Sequence, residues 1–227
     1  MKVQQEKYRH EWKHEISHAD LLILRQRLSA VMQRDPHAQN GSYEIRSLYF
    51  DTPEDTALRE KIDGVNKREK FRIRYYNQDV SHLRLEKKSK INGLCKKESA
   101  PLQAEQVQAL LDGEYHWMEA QQDPLIQDLH LKMTCRGLRP KTIVDYTREP
   151  FIFAPGNVRV TLDHNIRTGL LRTDFLSPGI TIPAGDPTII LEVKWDEFLP
   201  DLIRGAVFLD GRRQTAFSKY AACRIYG

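Results

Sequence analysis

Between Lys67 and Tyr76 the chain reads Lys-Arg-Glu-Lys-Phe-Arg-Ile-Arg-Tyr-Tyr. At the two-residue period of a β-strand this places Arg68, Lys70, Arg72 and Arg74 on one face and Phe71, Ile73 and Tyr75 on the other. Neighbours on one face stand roughly 6.5 Å apart, so the four cations repel one another unless water or an anion lies between them. Such a strand needs an apolar surface against one side and something wet or anionic against the other.

The pattern recurs along the chain. Arg9 to Ile16 sets Arg9, Glu11, Lys13 and Glu15 against His10, Trp12, His14 and Ile16. Tyr43 to Asp51 reads as strand, and so does Lys141 to Glu149, with Val144, Tyr146 and Arg148 on one side. Val158 to His164 turns Arg159, Thr161 and Asp163 away from Val158, Val160 and Leu162, although Asp163 itself reads most simply as a strand-end turn residue. Thr188 to Trp195 turns Glu192 and Lys194 away from Ile189, Leu191 and Val193.

One turn fixes a register. Leu83 to Lys90 and Leu94 to Ser99 flank Ile91-Asn92-Gly93, and Asn-Gly is the preferred two-residue hairpin turn. With the turn at Asn92-Gly93, Ile91 pairs with Leu94, Lys88 stands opposite Lys97, and Glu86 stands opposite Ser99. Arg84, Glu86, Lys88 and Lys97 then share a face. Two lysines directly opposite each other cost energy unless something negative is bound.

Helices punctuate the strands. Ser17 and Asp20 form an acidic variant of the capping box ahead of Leu21, Leu24, Leu28 and Val31. Asp51 to Asp55 is a turn opening a short helix through Lys61; Gln103 to Asp112 ends at Gly113; and Leu125, Ile126, Leu129 and Met133 mark another helix. Gln214 to Arg224 reads as helix and carries Lys219 beside Tyr220. The Gly- and Pro-rich stretch 167–187 is too long for an ordinary loop and reads as a hairpin or a lid.

A solvated sheet face mixes Thr, Ser and Gln with its charges. Here arginine and lysine gather repeatedly, with a glutamate two residues from a lysine at Glu11/Lys13, Glu86/Lys88 and Glu192/Lys194. The helices need an apolar surface to cover, and each strand offers one. The expected fold is therefore α+β: an antiparallel sheet rolled into a β-barrel, apolar face outward under surrounding helices, charged face lining the bore. At 227 residues the chain suits one domain over 1–227.

A bore lined with unpaired cations cannot stay dry, because each uncompensated buried charge costs several kcal/mol. Arginine forks suit phosphoryl oxygens, lysine adds a compact charge, and glutamates among them can hold Mg²⁺ or Mn²⁺ through oxygen. The expected ligand is a linear polyanion of phosphates with a divalent ion. Other chemistries find little support. The three cysteines, Cys95, Cys135 and Cys223, lie far apart without a CxxC, which disfavours a disulfide framework or zinc site and points to the cytoplasm. No apolar run reaches the roughly 18 residues of a membrane span. Walker A, HExxH and GxSxG sequences are absent. Aromatics interleave with the basic ladder only at Tyr75 and Tyr76, so nucleic acid is not the expected partner.

In this order, Arg9-x-Glu11-x-Lys13, Ser47-Leu-Tyr-Phe-Asp51, Lys70-Phe-Arg72-Ile-Arg74-Tyr-Tyr, Glu86-Lys-Lys88, Asp145-Tyr-Thr-Arg148, Arg159-Val-Thr-Leu-Asp163, Leu191-Glu192-Val-Lys194 and Phe217-Ser-Lys219-Tyr220 resemble the VTC polyphosphate polymerase domain. That domain belongs to the triphosphate tunnel metalloenzymes, relatives of CYTH-type phosphatases. The resemblance implies a tunnel that transfers the γ-phosphoryl group of ATP to a growing polyphosphate chain, with pyrophosphate and polyphosphate among its ligands and Mn²⁺ or Mg²⁺ as cofactor. It implies catalytic roles for Arg72, Arg74, Arg148 and Lys219, phosphate binding by Lys13, Lys70, Lys88 and Lys97, and metal binding by Glu192, with Glu11 and Glu86 as further candidates. A triphosphate hydrolase on the same tunnel and a polyanion-binding module without chemistry are the alternatives.

Overall fold

The computed structural model describes residues 9–38, 40–177 and 179–225. Its elements run β1 (His10–Ile16), α1 (His18–Val31), β2 (Gln33–Arg34), β3 (Tyr43–Asp51), α2 (Thr56–Ile62), β4 (Arg68–Tyr76), β5 (Asp79–Ile91), β6 (Leu94–Leu102), α3 (Ala104–Leu111), α4 (Pro124–Arg136), β7 (Arg139–Phe153), β8 (Val158–Thr168), β9 (Ile182–Pro183), β10 (Ile189–Trp195), α5 (Asp201–Val207) and α6 (Lys219–Cys223).

All the strands join one antiparallel sheet in the order β1-β10-β8-β7-β3-β4-β5-β6, with β2 added to β7 and β9 to β8. The sheet curls until its edge strands meet. Arg9 N donates to Cys95 O at 3.3 Å across that seam, and Lys88 Nζ reaches Glu11 at 2.8 Å. Among the described residues the edges meet through this backbone bridge and ion pair and not through a continuous ladder.

Local chemistry explains most of the boundaries. Ser17 Oγ accepts from Asp20 N while Asp20 Oδ2 accepts from Ser17 N, the reciprocal cap that starts α1. Asn92 and Gly93 adopt φ of 50° and 82°, left-handed values that a two-residue hairpin requires, and the register that follows pairs Lys88 with Lys97 and Glu86 with Ser99.

The strands' apolar faces point outward, as the alternation requires. Phe71, Ile73, Tyr75, Leu83 and Leu85 pack beneath α3 and α4 through Val107, Leu110, Leu129 and Met133. Phe151, Val160, Leu162, Leu191 and Val193 pack beneath α1 and α5 through Leu24, Leu28 and Ile203. A third cluster joins inward-facing Tyr43, Ile45, Tyr49, Val144 and Tyr146 to Tyr220 and Cys223. This places α6 against the inner wall of the barrel, with Leu58 of α2 packed against the same cluster.

The C-terminal helix and α5 differ from the sequence reading, whereas 167–187 forms the expected hairpin. The C-terminal helix begins only at Lys219, because Gln214 bridges to His14 and Thr215 N donates to Lys13 O at 2.8 Å, drawing the preceding chain out beside β1. The 167–187 stretch closes on β8 through the two residues of β9, and Arg46 ties its middle down by donating to the carbonyls of Ser177 and Gly179. Helix α5 forms although Pro200 before it and Gly205 within it mask its apolar period; Ile203 and Val207 hold it to the barrel.

Candidate active site in the bore

Strands β4, β5 and β6 build one wall. Arg72 donates through Nε and Nη2 to Glu86 Oε2 at 2.8 and 2.7 Å, and through Nη1 to Tyr49 Oη at 2.8 Å. Lys97 Nζ holds the other oxygen of Glu86 at 2.6 Å. Burial pushes the Glu86 carboxyl up, but Arg72, Arg74 and Lys97 together hold it far below the usual range. Arg74 has less compensation: it donates to Ser47 Oγ and Tyr146 Oη, and its Nη1 lies 3.7 Å from Glu86. Lys70 donates to Ser218 Oγ at 3.3 Å and sits 5.0 Å over the Tyr220 ring. Burial, reinforced by Lys61 and Arg68, lowers its ammonium to about 7.

The facing wall comes from β1, β10, β8 and β7. Glu192 is its hub, with Lys194 at 2.7 Å, Lys13 at 3.3 Å and Arg148 at 3.3 Å. Glu11 receives Lys88 at 2.8 Å, Lys13 at 3.3 Å and Lys194 at 3.6 Å. Burial and Glu192 push the Glu11 carboxyl up, yet the three lysines override them and leave it at about 2. Asp163 is fully buried and accepts twice from Arg148 and once from Lys219, each at 2.6 Å. Lys219 also lies 4.5 Å over the Tyr146 ring.

The cation ladder expected to stand unpaired is instead largely balanced inside the protein. The opposed lysines show how: Lys88 leans across the seam to Glu11 and Lys97 leans inward to Glu86, so neither faces the other. Balance is nevertheless incomplete. Lys13, Lys70, Arg72, Arg74, Lys88, Lys97, Arg148, Lys194 and Lys219 outnumber Glu11, Glu86, Asp163 and Glu192, and the excess positive charge is turned onto the inner face of the curled sheet. Lys88 and Lys97, with side chains 40% and 54% exposed, mark a mouth.

All eleven residues singled out from the sequence lie on this inner surface, divided between the two walls. Glu11 and Glu192 converge on the single ammonium of Lys13, whereas Glu86 is engaged by Arg72 and Lys97 on the opposite wall. Among the described residues no three acidic, histidine or cysteine side chains cluster to hold a metal. Two hard oxygen donors on one point nevertheless fit a divalent ion that takes its remaining ligands from phosphate and water. Thr161, cross-strand from Glu192, keeps a buried hydroxyl oxygen without a partner, which accords with a ligand between them.

Several members of the site escape sequence reasoning. Asp163, legible as a turn residue, is the anchor of Arg148 and Lys219; its signal was its place on the same face as Arg159 and Thr161. Lys194 carries the same signal, two residues after Glu192, and burial lowers it to about 8 against the pull of Glu192 and Glu11. Tyr146, which orients Arg74, carries that signal through its place on the face of Arg148, whereas Tyr49, which orients Arg72, carries none.

A curled antiparallel sheet with a cationic bore and helices packed around it is the fold of the triphosphate tunnel proteins, and solved structures share it. One is a candidate adenylate cyclase from Bacillus halodurans, at TM-score 0.52 and 13% identity over 83% of this chain and 81% of that one. Another is a candidate adenylyl cyclase from Hippeastrum with a dominant triphosphatase activity, at TM-score 0.56 and 14% identity over 95% and 94%. Within that class the chain belongs to the VTC domain family, whose pattern it matches over residues 8–225. No curated protein matches it.

Proposed function

We propose that this protein is a polyphosphate polymerase that transfers the γ-phosphoryl group of ATP to a growing polyphosphate chain within the bore. The observation that carries this reading is the pair of facing walls, where Arg72 and Arg74 look across at Arg148 and Lys219 and each arginine is held by a tyrosine or a carboxylate. Phosphoryl transfer asks a protein for positioning and charge stabilisation more than for covalent chemistry, and fixed guanidinium groups supply both. Arg72, Arg74 and Arg148 cradle the transferred group, with Lys219 beside them. Lys13, Lys70, Lys88 and Lys97 line the phosphates on either side, so that a chain rather than a single anion satisfies them. The terminal phosphate of the acceptor is the nucleophile.

Glu192 and Glu11 would hold Mn²⁺ or Mg²⁺, and Glu86 serves chiefly as counter-ion to Arg72. Held there, a divalent ion would supply charge neutralisation to the phosphate oxygens. The internal carboxylates offset part of the cationic charge of the empty bore, and arriving phosphates take up the excess.

Among the described residues no helix is long and apolar enough to cross a membrane, and the three cysteines are free. We place the reaction in a reducing cytoplasm on the cysteines. Triphosphate hydrolysis is the second reading, favoured by the triphosphatase activity of the Hippeastrum protein. Purified protein with ATP and Mn²⁺ separates the two: long polyphosphate supports the polymerase, and free phosphate without polymer sinks it in favour of the hydrolase.

A further inference from the structure

The outer wall of the barrel carries a second concentration of charge that the bore does not use. Strand alternation turns Arg148 and Asp163 inward, so their chain neighbours Glu149 and His164 point outward. There Glu149, its side chain 8% exposed, receives Arg25 Nε at 3.0 and 2.9 Å, Arg25 Nη2 at 2.5 Å and His164 Nε2 at 3.0 Å, while Arg34 Nη1 lies 3.6 Å away. Beside this cluster opens a cavity of about 290 Å³, lined by Arg25, Arg34, Asn40, Ser42, Thr147 and His164 among others.

Were the cluster only an anchor for α1, Arg25 would suffice, since its bidentate grip already neutralises Glu149. Arg34 is surplus. Its guanidinium is placed by the Gly41 carbonyl at 3.1 Å and by the Phe151 ring, whose centre is 4.0 Å away, and its acidic neighbour, Glu149 at 3.6 Å, is shared with Arg25 and His164 and cancels its charge only in part. The described residues accept no other hydrogen bond from it, and it is positioned rather than mobile. Hydroxyl and amide groups of Ser42, Thr147 and Asn40 complete a polar wall that offers little to an apolar ligand.

We propose that this cavity is a second anion site, separate from the bore, that takes a compact phosphoryl group, either a free phosphate or pyrophosphate or the terminal phosphate of a chain. Arg34 and His164 bind the anion, and Arg25 is shared between it and Glu149. This is the same device as in the bore, where a buried carboxylate holds cations in place until a ligand arrives.

The test follows the His164 ring resonances by NMR in the whole protein, titrated at constant ionic strength with inorganic phosphate, pyrophosphate or tripolyphosphate. In the wild type and in the bore variant Arg72→Ala, the resonances should shift saturably. Arg34→Gln should raise the midpoint about tenfold or more, the loss of one charge-assisted contact. Ser42→Asp leaves the Arg25–Glu149 clamp in place and should weaken binding as well. Saturation by all three anions identifies a free-anion site, and saturation by tripolyphosphate alone identifies a chain-end site; both support the proposal. A resonance unmoved by any of the three, a shift lost in Arg72→Ala, or a shift unchanged in both cavity variants overturns it.

Discussion

Arg148 and Asp163 are paired side on, Nε to Oδ1 and Nη2 to Oδ2 at 2.6 Å each, and Asp163 is wholly buried. The same carboxylate receives Lys219 from α6, so one acidic group fixes two cations drawn from different elements, β7 and α6. Burial pushes its carboxyl up, and Arg148 and Lys219 more than reverse that, leaving it at about 2.

Asp163→Asn therefore strips the counter-charge from two buried cations at once. The expected cost is on the order of 3 kcal/mol, the usual penalty for breaking one half of a buried pair. Urea unfolding measures it. Turnover should be lost even under conditions where the variant is fully folded, because Arg148 no longer has a fixed position.

Arg72 and Arg74 sit two residues apart on β4 and should respond unequally to truncation. Arg72→Ala removes two hydrogen bonds from buried Glu86 and should destabilise by about 2–3 kcal/mol, since Lys97 and Arg74 compensate only part of the loss. Arg74→Ala relieves repulsion from Arg72 but gives up two hydroxyl partners and a Glu86 carboxylate 3.7 Å away, so its melting temperature should fall by less than that of Arg72→Ala. Both should lose turnover. A large drop in the melting temperature of Arg74→Ala would mean that the ladder is structural.

Lys70 gives the pH dependence a sign. Its folded-state value of about 7 lies below the ordinary 10.5, so between these values the unfolded chain binds more protons and stability rises with pH. The contribution from Lys70 is absent below about pH 7 and complete above about 10.5. Thermal melts across this window should show a shallower rise in Lys70→Met than in the parent. Tripolyphosphate binding at pH 8 should take up protons as the Lys70 and Lys194 ammonium groups re-form beside phosphate, and calorimetry in two buffers of different ionisation enthalpy should show that uptake shrink in the variant to the share of Lys194.

Glu192→Gln leaves the backbone pairing of β10 untouched but weakens the point where Glu11 and Glu192 converge. The Mn²⁺ concentration for half-maximal activity should rise about tenfold, the scale of one lost charged ligand. Glu86→Gln should leave that concentration nearly unchanged and lower stability instead, since Glu86 is a partner of Arg72 and Lys97. Equal metal dependence in the two variants would remove Glu192 from the metal site.

Much of this architecture was legible because β-strand alternation is a local property. Asn92-Gly93 alone set the Lys88/Lys97 register, and the alternation of β4 separated Arg72 and Arg74 from Phe71 and Ile73. What could not be read was partner choice. Asp163 becomes the keystone only because β8 lies beside β7 and α6 folds inward, relationships between residues more than fifty positions apart in the case of Lys219. Tyr49 sits between Leu48 and Phe50 in sequence, and although Tyr146 alternates onto the face of Arg148, nothing local indicates that either hydroxyl turns toward an arginine. The C-terminal helix was read too long because its apolar spacing also suits an extended strip, and pairing with β1 decided between them.

The pairing of β1 with β10 sets His10 against Trp195, so the first described strand to leave the ribosome waits for the last strand of the sheet before it gains a ladder partner. Contacts of such sequence separation make for slow folding. Until β10 emerges, Glu11 and Lys13 have no wall to belong to, and the interval before closure is when the outward apolar faces of the early strands are most open to association with other chains.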